Sequence, residues 1–314
     1  MEMIKKFFHG YQEIVEQNGY LQPLRFNNKE IEYYTDLSIK FGIRAHSTAG
    51  ITLQFYTDEK EISFDCKIEN FIREHDSITV YENDTFAKSF QYSKESPLQH
   101  LSYLKKDNER AKIVIYFPAL SSLAIKNFDT RQKIPISNFP TTLLCYGDSI
   151  TKGVEANNSS ESYTNKIARA MNYEIRNLAV GGHYFDPNSL LNKGFDTQTA
   201  VLIGYGTNDF SRHEIHDIEN HIICYLRDIR ELHSTAKIYC ISPIWRFDLN
   251  ETNIGKMNKI RNRIEIEAIK NGMIYIDGFN LLDKDKSLYA DAKVHPNDLG
   301  FTIMANKIIE VMSQ

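Results

Sequence analysis

The sequence predicts an α/β protein in two parts, an antiparallel β-sandwich followed by a five-stranded parallel sheet with helices on both faces. Residues 41–126 contain short runs in which apolar and polar residues alternate, as in half-buried antiparallel strands. From residue 141 onward, short apolar runs alternate with longer segments of helical periodicity. That alternation is typical of a parallel sheet built from consecutive βα steps, which gives three layers.

Composition places the chain among ordinary globular proteins and limits its partners. The chain has 314 residues, more than one typical domain, so we expect two domains. Its net charge is −4 with both signs mixed along the chain, whereas surfaces that bind nucleic acid or anionic membranes are basic. We therefore expect a small, neutral or weakly charged partner, no nucleic acid and no membrane. The oligomeric state is not predicted.

The first residues predict a short helix. Apolar side chains in residues 3–17 recur at helical spacing, and Asn18-Gly19 follows as a stop signal. Polar residues such as His9 and Gln12 interrupt the apolar stretch that a signal peptide needs, so we expect a cytoplasmic protein. The four cysteines include no C-x-x-C pair and are expected to be buried free thiols.

The remaining elements follow from the same two periodicities. Strands of the sandwich are predicted at residues 51–56, 62–68, 77–81 and 112–117. A polar segment with Pro135 and Pro140 marks the domain boundary, which gives a helix plus β-sandwich in residues 1–135 and a second domain in residues 136–314. Strands of the second domain are predicted at 142–146, 175–180, 200–205, 237–242 and 273–277, and helices near 163–171, 215–232, 254–270 and 299–312.

Chemistry is expected where the parallel strands end, because ligands of such sheets bind beyond the carboxyl ends of the strands. Ser149 follows the first strand, Gly182 the second and Asn208 the third, and His295 precedes the last helix. A serine hydroxyl is a weak nucleophile and needs a base and an oxyanion site. His295 is the candidate base, and the backbone N–H groups of Ser149 and Gly182 with the amide of Asn208 are the candidate oxyanion donors. This set of parts predicts acyl transfer.

Four sequence blocks carry a family resemblance. Gly147-Asp148-Ser149, the glycine of Val180-Gly181-Gly182, Gly206-Thr207-Asn208-Asp209 and His295-Pro296-Asn297-Asp298 resemble the four ordered blocks of the SGNH, or GDSL, hydrolases. The resemblance extends from Thr141 to the C-terminus and implies a flavodoxin-like domain, Ser149 as nucleophile, His295 as base, and neither metal nor cofactor. Residues 41–126 resemble the jelly-roll-like β-sandwich that precedes the catalytic domain in a two-domain subgroup.

Two positions leave alternatives within this resemblance. The usual acid of the family lies three residues before the histidine, where this chain has Ala292, while Asp291 lies four before. Either a longer turn lets Asp291 orient the ring or a backbone carbonyl does so; we predict Asp291, since aspartate usually fixes the imidazole tautomer. The oxyanion glycine is either Gly181 or Gly182, and we predict Gly182.

Aromatic residues near these loops are candidates for the substrate pocket. Trp245 follows the fourth strand, and His183 and Tyr184 follow the predicted oxyanion glycine. Each is a pocket candidate because aromatic faces suit sugars, and the alternative for each is a place in the core. His213, His216 and His221 are interpreted as surface residues, because no cysteine or suitably spaced carboxylate completes a metal site.

The expected function is that of a serine esterase. It would hydrolyse a short acyl ester, such as an acetyl ester, of a small carbohydrate or related alcohol through an acyl-enzyme on Ser149. Members of the SGNH hydrolase family, which this chain resembles, often act on acylated sugars, and some transfer the acyl group to an acceptor other than water. The alternatives are an acyltransferase with the same nucleophile and a catalytically inactive glycan-binding protein. Acyl length and the identity of the alcohol are not predicted.

Overall fold

The computed structural model describes residues 2–73, 75–191 and 199–314. The chain forms two compact units. The first extends to Phe139 and includes the short segments Asn157–Ser160 and Glu174–Arg176, and the second contains the remainder. The predicted division after residue 135 stays a proposal for where two independently folding domains meet.

In its described residues up to Phe139, the first unit contains three helices and eleven strands. In chain order they are α1 (Glu2–Lys5), β1 (Phe8–His9), β2 (Glu13–Gln17), β3 (Tyr20–Leu24), α2 (Asn28–Leu37), α3 (Ile39–Ala45), β4 (Thr52–Thr57), β5 (Glu61–Glu69), β6 (His75–Glu82), β7 (Thr85–Ser93), β8 (Leu98–Leu104), β9 (Ala111–Tyr116), β10 (Ser122–Lys126) and β11 (Lys133–Pro135).

These strands form an antiparallel β-sandwich, which confirms the predicted class of this region. One sheet has the order β1-β4-β9-β6-β7 with β11 beside β4, and the other has the order β2-β3-β10-β5-β8. Leu53 and Phe55 from the first sheet and Ile62 and Phe64 from the second are fully buried in one core. Their alternation with partly or fully exposed residues along β4 and β5 is the period of two that the sequence shows.

The predicted helix over residues 3–17 is wrong. Only Glu2–Lys5 is helical, and β2 pairs with β3 in an antiparallel hairpin. Asn18 and Gly19 both have positive φ, 53° and 76°, and form the two-residue turn between these strands rather than a helix stop. Phe7 and Phe8 are buried in the sandwich core, so tertiary packing overrides the local helical period here.

Residues 41–126 are predicted to have the periodicity of strands, but the first five of them belong to the helix α3. The preceding helix α2 was not predicted, although its start has a sequence signature. The Asn27 side chain accepts from the Glu30 N–H (3.0 Å) and the Glu30 carboxylate accepts from the Asn27 N–H (2.8 Å). This reciprocal pair is a capping box, which satisfies two backbone donors at the helix start.

The second unit is built on the predicted parallel sheet. After β11 the chain continues with β12 (Thr142–Gly147), α4 (Ser149–Lys152), α5 (Tyr163–Met171), β13 (Glu174–Asn177), β14 (Thr199–Gly204), α6 (Thr207–Arg212), α7 (Ile215–Leu232), β15 (Lys237–Ile241), α8 (Ile254–Lys270), β16 (Ile274–Ile276) and α9 (Asp298–Met312). The strand order is β13-β12-β14-β15-β16, which confirms the predicted α/β class.

Strand register brings the ends of the central strands to one edge. Gly147 at the end of β12 is paired with Gly204 at the end of β14, and Gly204 with Ile241 at the end of β15. Leu143, Leu144 and Cys145 are fully buried, as expected for a central strand covered on both faces. The loops that follow these three strands therefore begin side by side.

All four cysteines lie in the described ranges and are free thiols; Cys66, Cys145 and Cys240 are buried and Cys224 is partly exposed. Burial raises the pKa of the buried thiols, to about 12 for both Cys66 and Cys240. These groups are therefore protonated near neutral pH. In the described ranges, no helix combines the length and the apolar character needed to cross a membrane.

Candidate active site

The serine lies in a tight turn between β12 and α4. Asp148 is the N-cap of α4 and its Oδ1 accepts the Ile150 N–H at 2.9 Å, so Ser149 is the first residue of the helix. A Cβ atom at Gly147 would lie 2.2 Å from Thr151 Oγ1 and 2.8 Å from the Gly204 carbonyl oxygen, and only glycine fits there. This packing brings the turn against the end of β14 and leaves Ser149 half-buried.

Ser149 and His295 lie within hydrogen-bond distance, with Oγ 2.9 Å from Nε2. The histidine is on the loop before α9, 146 positions along the chain from the serine. Backbone bonds close that loop: the Ala290 N–H donates to the His295 carbonyl oxygen (2.9 Å), and Tyr289 forms a bridge with Pro296. The ring is therefore carried by a short, hydrogen-bonded loop.

Asp291 completes a chain of three side chains. Its Oδ2 is 2.7 Å from His295 Nδ1, and its Oδ1 accepts the backbone N–H groups of Lys293 (2.9 Å), Val294 (2.8 Å) and His295 (3.0 Å). Ala292 is the extra residue of this turn, and its left-handed φ of 51° lets the chain turn within it. Of the two alternatives that the sequence left open, the geometry supports Asp291 as the group that orients the ring.

The charge state of Asp291 follows from these contacts. Partial burial raises its pKa, but hydrogen bonds from the Val294 N–H, the His295 ring, and the His295 and Lys293 N–H groups outweigh burial and lower the pKa to about 2. The carboxylate is therefore ionised near neutral pH. It can accept a hydrogen bond from the His295 Nδ1–H group. It can also stabilise the imidazolium that forms when Nε2 takes the serine proton.

The candidate oxyanion donors lie around the same turn. Asn208 Nδ2 is 3.3 Å from Asp148 Oδ2 and 2.9 Å from the His183 carbonyl oxygen, which links the loops after β12, β13 and β14. Gly182 has φ 81°, a conformation that favours glycine. Among the described residues, the backbone N–H groups of Ser149 and Gly182 have no hydrogen-bond partner. These two donors remain available to a ligand.

Two buried carboxyl groups support these loops. Asp209 is fully buried, and its oxygens accept the N–H groups of Phe185 and Gly206, each at 3.1 Å. Asp148 is likewise buried. Burial is the largest cause that raises the pKa of each to about 7, and repulsion from Asp209 adds to it at Asp148. Sequence reasoning gave Asp209 no role, although it lies directly after Asn208 in the third block.

Arg246 was also missed by sequence reasoning. Its buried guanidinium donates from Nη1 to the Thr207 carbonyl oxygen (2.8 Å) and binds Asp248 through Nε (2.6 Å) and Nη2 (2.7 Å). It therefore ties the loop after β15 to the start of α6, next to Asn208. Only its position after the fourth strand could have indicated this role.

The three aromatic pocket candidates differ in exposure. His183 is fully buried and stacks on Tyr184 (ring centroids 5.0 Å apart), so the structure corrects the expectation that the His183 side chain lines a pocket. Tyr184 is half-buried and meets His213 edge-on at 4.5 Å. Trp245 packs against Phe279, with the Lys284 ammonium 3.9 Å from its ring centre. Tyr184 and Trp245 stay candidates.

A family model identifies the domain that carries these loops. The model of the GDSL-like lipase/acylhydrolase family matches residues 145–303, half of the 314-residue chain. The chain belongs to this family. The matched range of this GDSL-like protein contains Ser149, Gly182, Asn208 and His295, and the resemblance to the SGNH hydrolases is confirmed.

Solved structures show the fold that this GDSL-like protein shares. It is similar to a salicylyl-acyltransferase from a tetracycline biosynthetic pathway (18% identity, 98% of this chain and 93% of that chain covered, TM-score 0.85). It is also similar to an acetyl xylan esterase from the rumen bacterium Butyrivibrio proteoclasticus (13%, 98% and 95%, 0.66). A third is a family two carbohydrate esterase from Clostridium thermocellum, solved with cellohexaose (16%, 84% and 91%, 0.64). A comparison with curated proteins found no significant match.

Proposed function

We propose that this protein is a serine esterase that removes a short acyl group, such as acetyl, from a small carbohydrate or related alcohol. The observation that carries the proposal is the hydrogen-bond chain from Ser149 Oγ through His295 to Asp291, with distances of 2.9 and 2.7 Å. It lies where the central parallel strands end, the usual ligand position in such sheets.

Acylation uses the three side chains in sequence. Ser149 Oγ attacks the ester carbonyl carbon while His295 Nε2 takes the hydroxyl proton, and Asp291 stabilises the resulting imidazolium. The carbonyl oxygen becomes an oxyanion that the Ser149 and Gly182 N–H groups stabilise. The Asn208 amide joins them by exchanging its longer contact to Asp148 Oδ2 (3.3 Å) for the oxyanion, while its other hydrogen stays on the His183 carbonyl oxygen. When the carbon–oxygen bond to the alcohol breaks, His295 returns the proton to the alcohol oxygen, and the acyl group stays on Ser149.

Deacylation repeats these steps with water. His295 takes a proton from water, whose oxygen attacks the acyl carbon, and then returns it to Ser149 Oγ as the free acid leaves. Each step conserves protons, and no metal or organic cofactor takes part.

The choice of a carbohydrate alcohol rests on the relatives and on Tyr184. Two of the similar structures are described as a carbohydrate esterase and an acetyl xylan esterase. In this chain, the half-buried ring of Tyr184 lies two residues after Gly182 and is supported by stacking on His183. An aromatic ring beside the oxyanion loop offers a face to the apolar side of a sugar.

An acyltransferase is the second candidate. The similar structure with a TM-score of 0.85 is described as an acyltransferase, and the same serine, histidine and donors serve both reactions. In the transferase, an acceptor hydroxyl replaces water in the second step. Product analysis separates the two: with acylated sugar and an added alcohol, an esterase releases free acid, whereas a transferase forms the new ester at the expense of the acid.

Replacement of Ser149 by alanine tests the proposal. We expect Ser149→Ala to lower kcat on p-nitrophenyl acetate and on acetylated xylo-oligosaccharides by about a thousandfold or more, because the nucleophile is removed. Ser313→Ala is the matched control, since among the described residues its hydroxyl binds only the Ile309 carbonyl oxygen at the end of α9. Undiminished hydrolysis by Ser149→Ala would overturn the esterase.

A serine-reactive fluorophosphonate tests the third possibility, an inactive glycan-binding protein. The esterase predicts covalent labelling of wild type at Ser149 and loss of that label in His295→Ala. A folded wild-type protein that does not react would favour the binding protein.

A further inference from the structure

A groove runs between the two sheets of the β-sandwich at one side of the first unit. In the described part of the chain, β7 and β8 are the outermost strands of their sheets, and both border this groove. Its volume is about 640 Å³, and its lining comes from residues 82–83, 85–88, 102–104 and 106–107. Small-molecule sites in proteins are concavities of this size.

Two large apolar side chains flank the groove and are exposed. Phe86 on β7 is 53% exposed and Leu104 on β8 is 63% exposed. The Phe86 ring meets the buried Tyr81 ring edge-on, with centroids 6.1 Å apart and planes at 89°, so its orientation is supported from the core. Exposed apolar surface that is rimmed by polar residues is a feature of ligand-binding grooves.

The polar part of the lining has unused hydrogen-bonding capacity. The buried Tyr103 hydroxyl donates to Glu82 Oε2, which fixes that carboxylate, while Glu82 Oε1 has no protein partner among the described residues. The Asn83 Oδ1 accepts the Lys112 N–H, and its amide nitrogen is unused in the same range. Donors and acceptors are thus fixed next to the apolar flanks.

The charges of the lining cancel. Glu82 and Asp107 carry negative charge, and Lys88 and Lys106 carry positive charge. Neither ammonium group forms an ion pair in the described structure. A strongly charged ligand gains no net attraction from such a lining, whereas a neutral molecule with many hydroxyl groups finds partners of both kinds.

We propose that this groove is a second binding site, for an uncharged oligosaccharide. The apolar face of a pyranose ring packs on Phe86 and Leu104, and its hydroxyl groups bond to Glu82 and Asn83. The site lies entirely in residues of the first unit and uses none of the catalytic candidates. It therefore stands independently of the esterase proposal.

Another polypeptide strand is a poorer occupant of this groove. The register between β6 and β7 shifts at Val80/Tyr81, and Lys88 lies on the outermost strand β7. Irregular register and edge lysines are features that oppose pairing with a further strand. The groove is also lined by side chains of both sheets rather than by one free strand edge.

Calorimetry on the full chain carrying Ser149→Ala tests the proposal with xylotetraose, cellotetraose and mannotetraose. We expect at least one to bind, and Phe86→Ala and Leu104→Ala each to weaken its binding by about tenfold. Leu98→Ala is the matched control, because Leu98 lies on the same strand, is 62% exposed and does not line the groove. Phe86→Tyr keeps the ring and should keep the affinity.

Three outcomes would overturn the site. The first is that none of the tetrasaccharides binds at concentrations up to about 10 mM, since a dissociation constant above that value is weaker than that of almost any specific site. The second is binding that Phe86→Ala and Leu104→Ala leave unchanged, which would place the sugar elsewhere. The third is a concentration-dependent dimer that Phe86→Ala dissociates, since the occupant is then a second copy of the chain. When the groove substitutions are made in the otherwise wild-type chain, which keeps Ser149, the variants should hydrolyse p-nitrophenyl acetate at the wild-type rate.

Discussion

Asp291 holds His295 at two points, with Oδ2 2.7 Å from the ring Nδ1 and Oδ1 3.0 Å from the backbone N–H. One carboxylate thus orients the ring and closes the turn that carries it. The turn spans four residues because Ala292 adopts a left-handed conformation with φ 51°. The family's usual acid position is therefore occupied by a residue that only shapes the backbone.

The first prediction concerns this carboxylate. Asp291→Asn should lower kcat for ester hydrolysis by tenfold or more, up to about 10⁴-fold, because an amide can donate to Nδ1 and favour the wrong imidazole tautomer. Asp285→Asn is the matched control, since Asp285 accepts the Ser287 N–H and, in the described part of the chain, has no hydrogen bond or ion pair with a histidine. A loss well below tenfold in steady-state kinetics would mean that backbone groups orient His295.

The second prediction concerns the turn itself. A β-branched side chain is strained at positive φ, so Ala292→Val should lower the free energy of unfolding by about 1–2 kcal/mol and also reduce kcat. Ala292→Gly removes the strain and should leave kcat close to wild type. Thermal unfolding and kinetics of the pair check both effects. Equal kcat values for the two variants would show that the turn does not position His295.

The third prediction concerns the oxyanion donor Asn208. Asn208→Ala should lower kcat by about 10²–10³ with a smaller change in KM, because the amide acts on charge that develops in the transition state. The change also leaves the His183 carbonyl oxygen and Asp148 Oδ2 without this donor. Activity must therefore be compared at a temperature where circular dichroism shows the variant to be folded. An unchanged kcat would remove Asn208 from the site.

The fourth prediction concerns pH and stability. The pKa of Asp209 is raised to about 7 in the folded protein, against about 3.9 when unfolded. Between these values the folded state holds a proton that the unfolded state has lost, so this stabilisation is complete below about pH 4 and disappears as pH rises through 7. Asp209→Asn cannot titrate, although it loses an acceptor for one backbone N–H at every pH.

Thermal unfolding of wild type and Asp209→Asn from pH 4 to 8 provides the measurement. The difference in Tm, wild type minus variant, should shrink as pH rises and level off above about 7. A difference that stays constant above about pH 5 would mean that the backbone donors of Phe185 and Gly206 keep Asp209 ionised throughout, because a group with the same charge in both states adds no pH dependence.

The fifth prediction concerns Tyr184. Tyr184→Ala should raise KM for acetylated xylo-oligosaccharides several-fold and leave KM for p-nitrophenyl acetate nearly unchanged, because only the sugar ester has a ring to pack on it. Tyr184→Phe keeps the ring and serves as the control. Equal effects on both substrates would indicate a structural role through the contact with His213.

Much of the second unit could be predicted because its periodicity is strong. The helices α5, α7 and α8 have the predicted bounds, since the buried positions of a long amphipathic helix are apolar and recur with a period that is visible in the sequence. In the first unit, β7 and β8 were not predicted, because these outer strands bury few side chains and lack an apolar run. The prediction of a helix at the N-terminal hairpin is wrong because residues 3–17 have a helical period in the sequence, whereas burial of Phe7 and Phe8 in the sandwich core decides their structure.

The sequence by itself determined the α/β class, the order of the loops and the residue types for acyl transfer, because these depend on local periodicity and on motifs at strand ends. The tertiary structure alone decided which groups meet. Ser149 and His295 are 146 positions apart, and their contact depends on strand register and on the loop before α9. The same holds for the contact between Asp291 and His295, which depends on the left-handed φ of Ala292. Positive φ is uncommon for alanine, so the sequence does not predict this conformation.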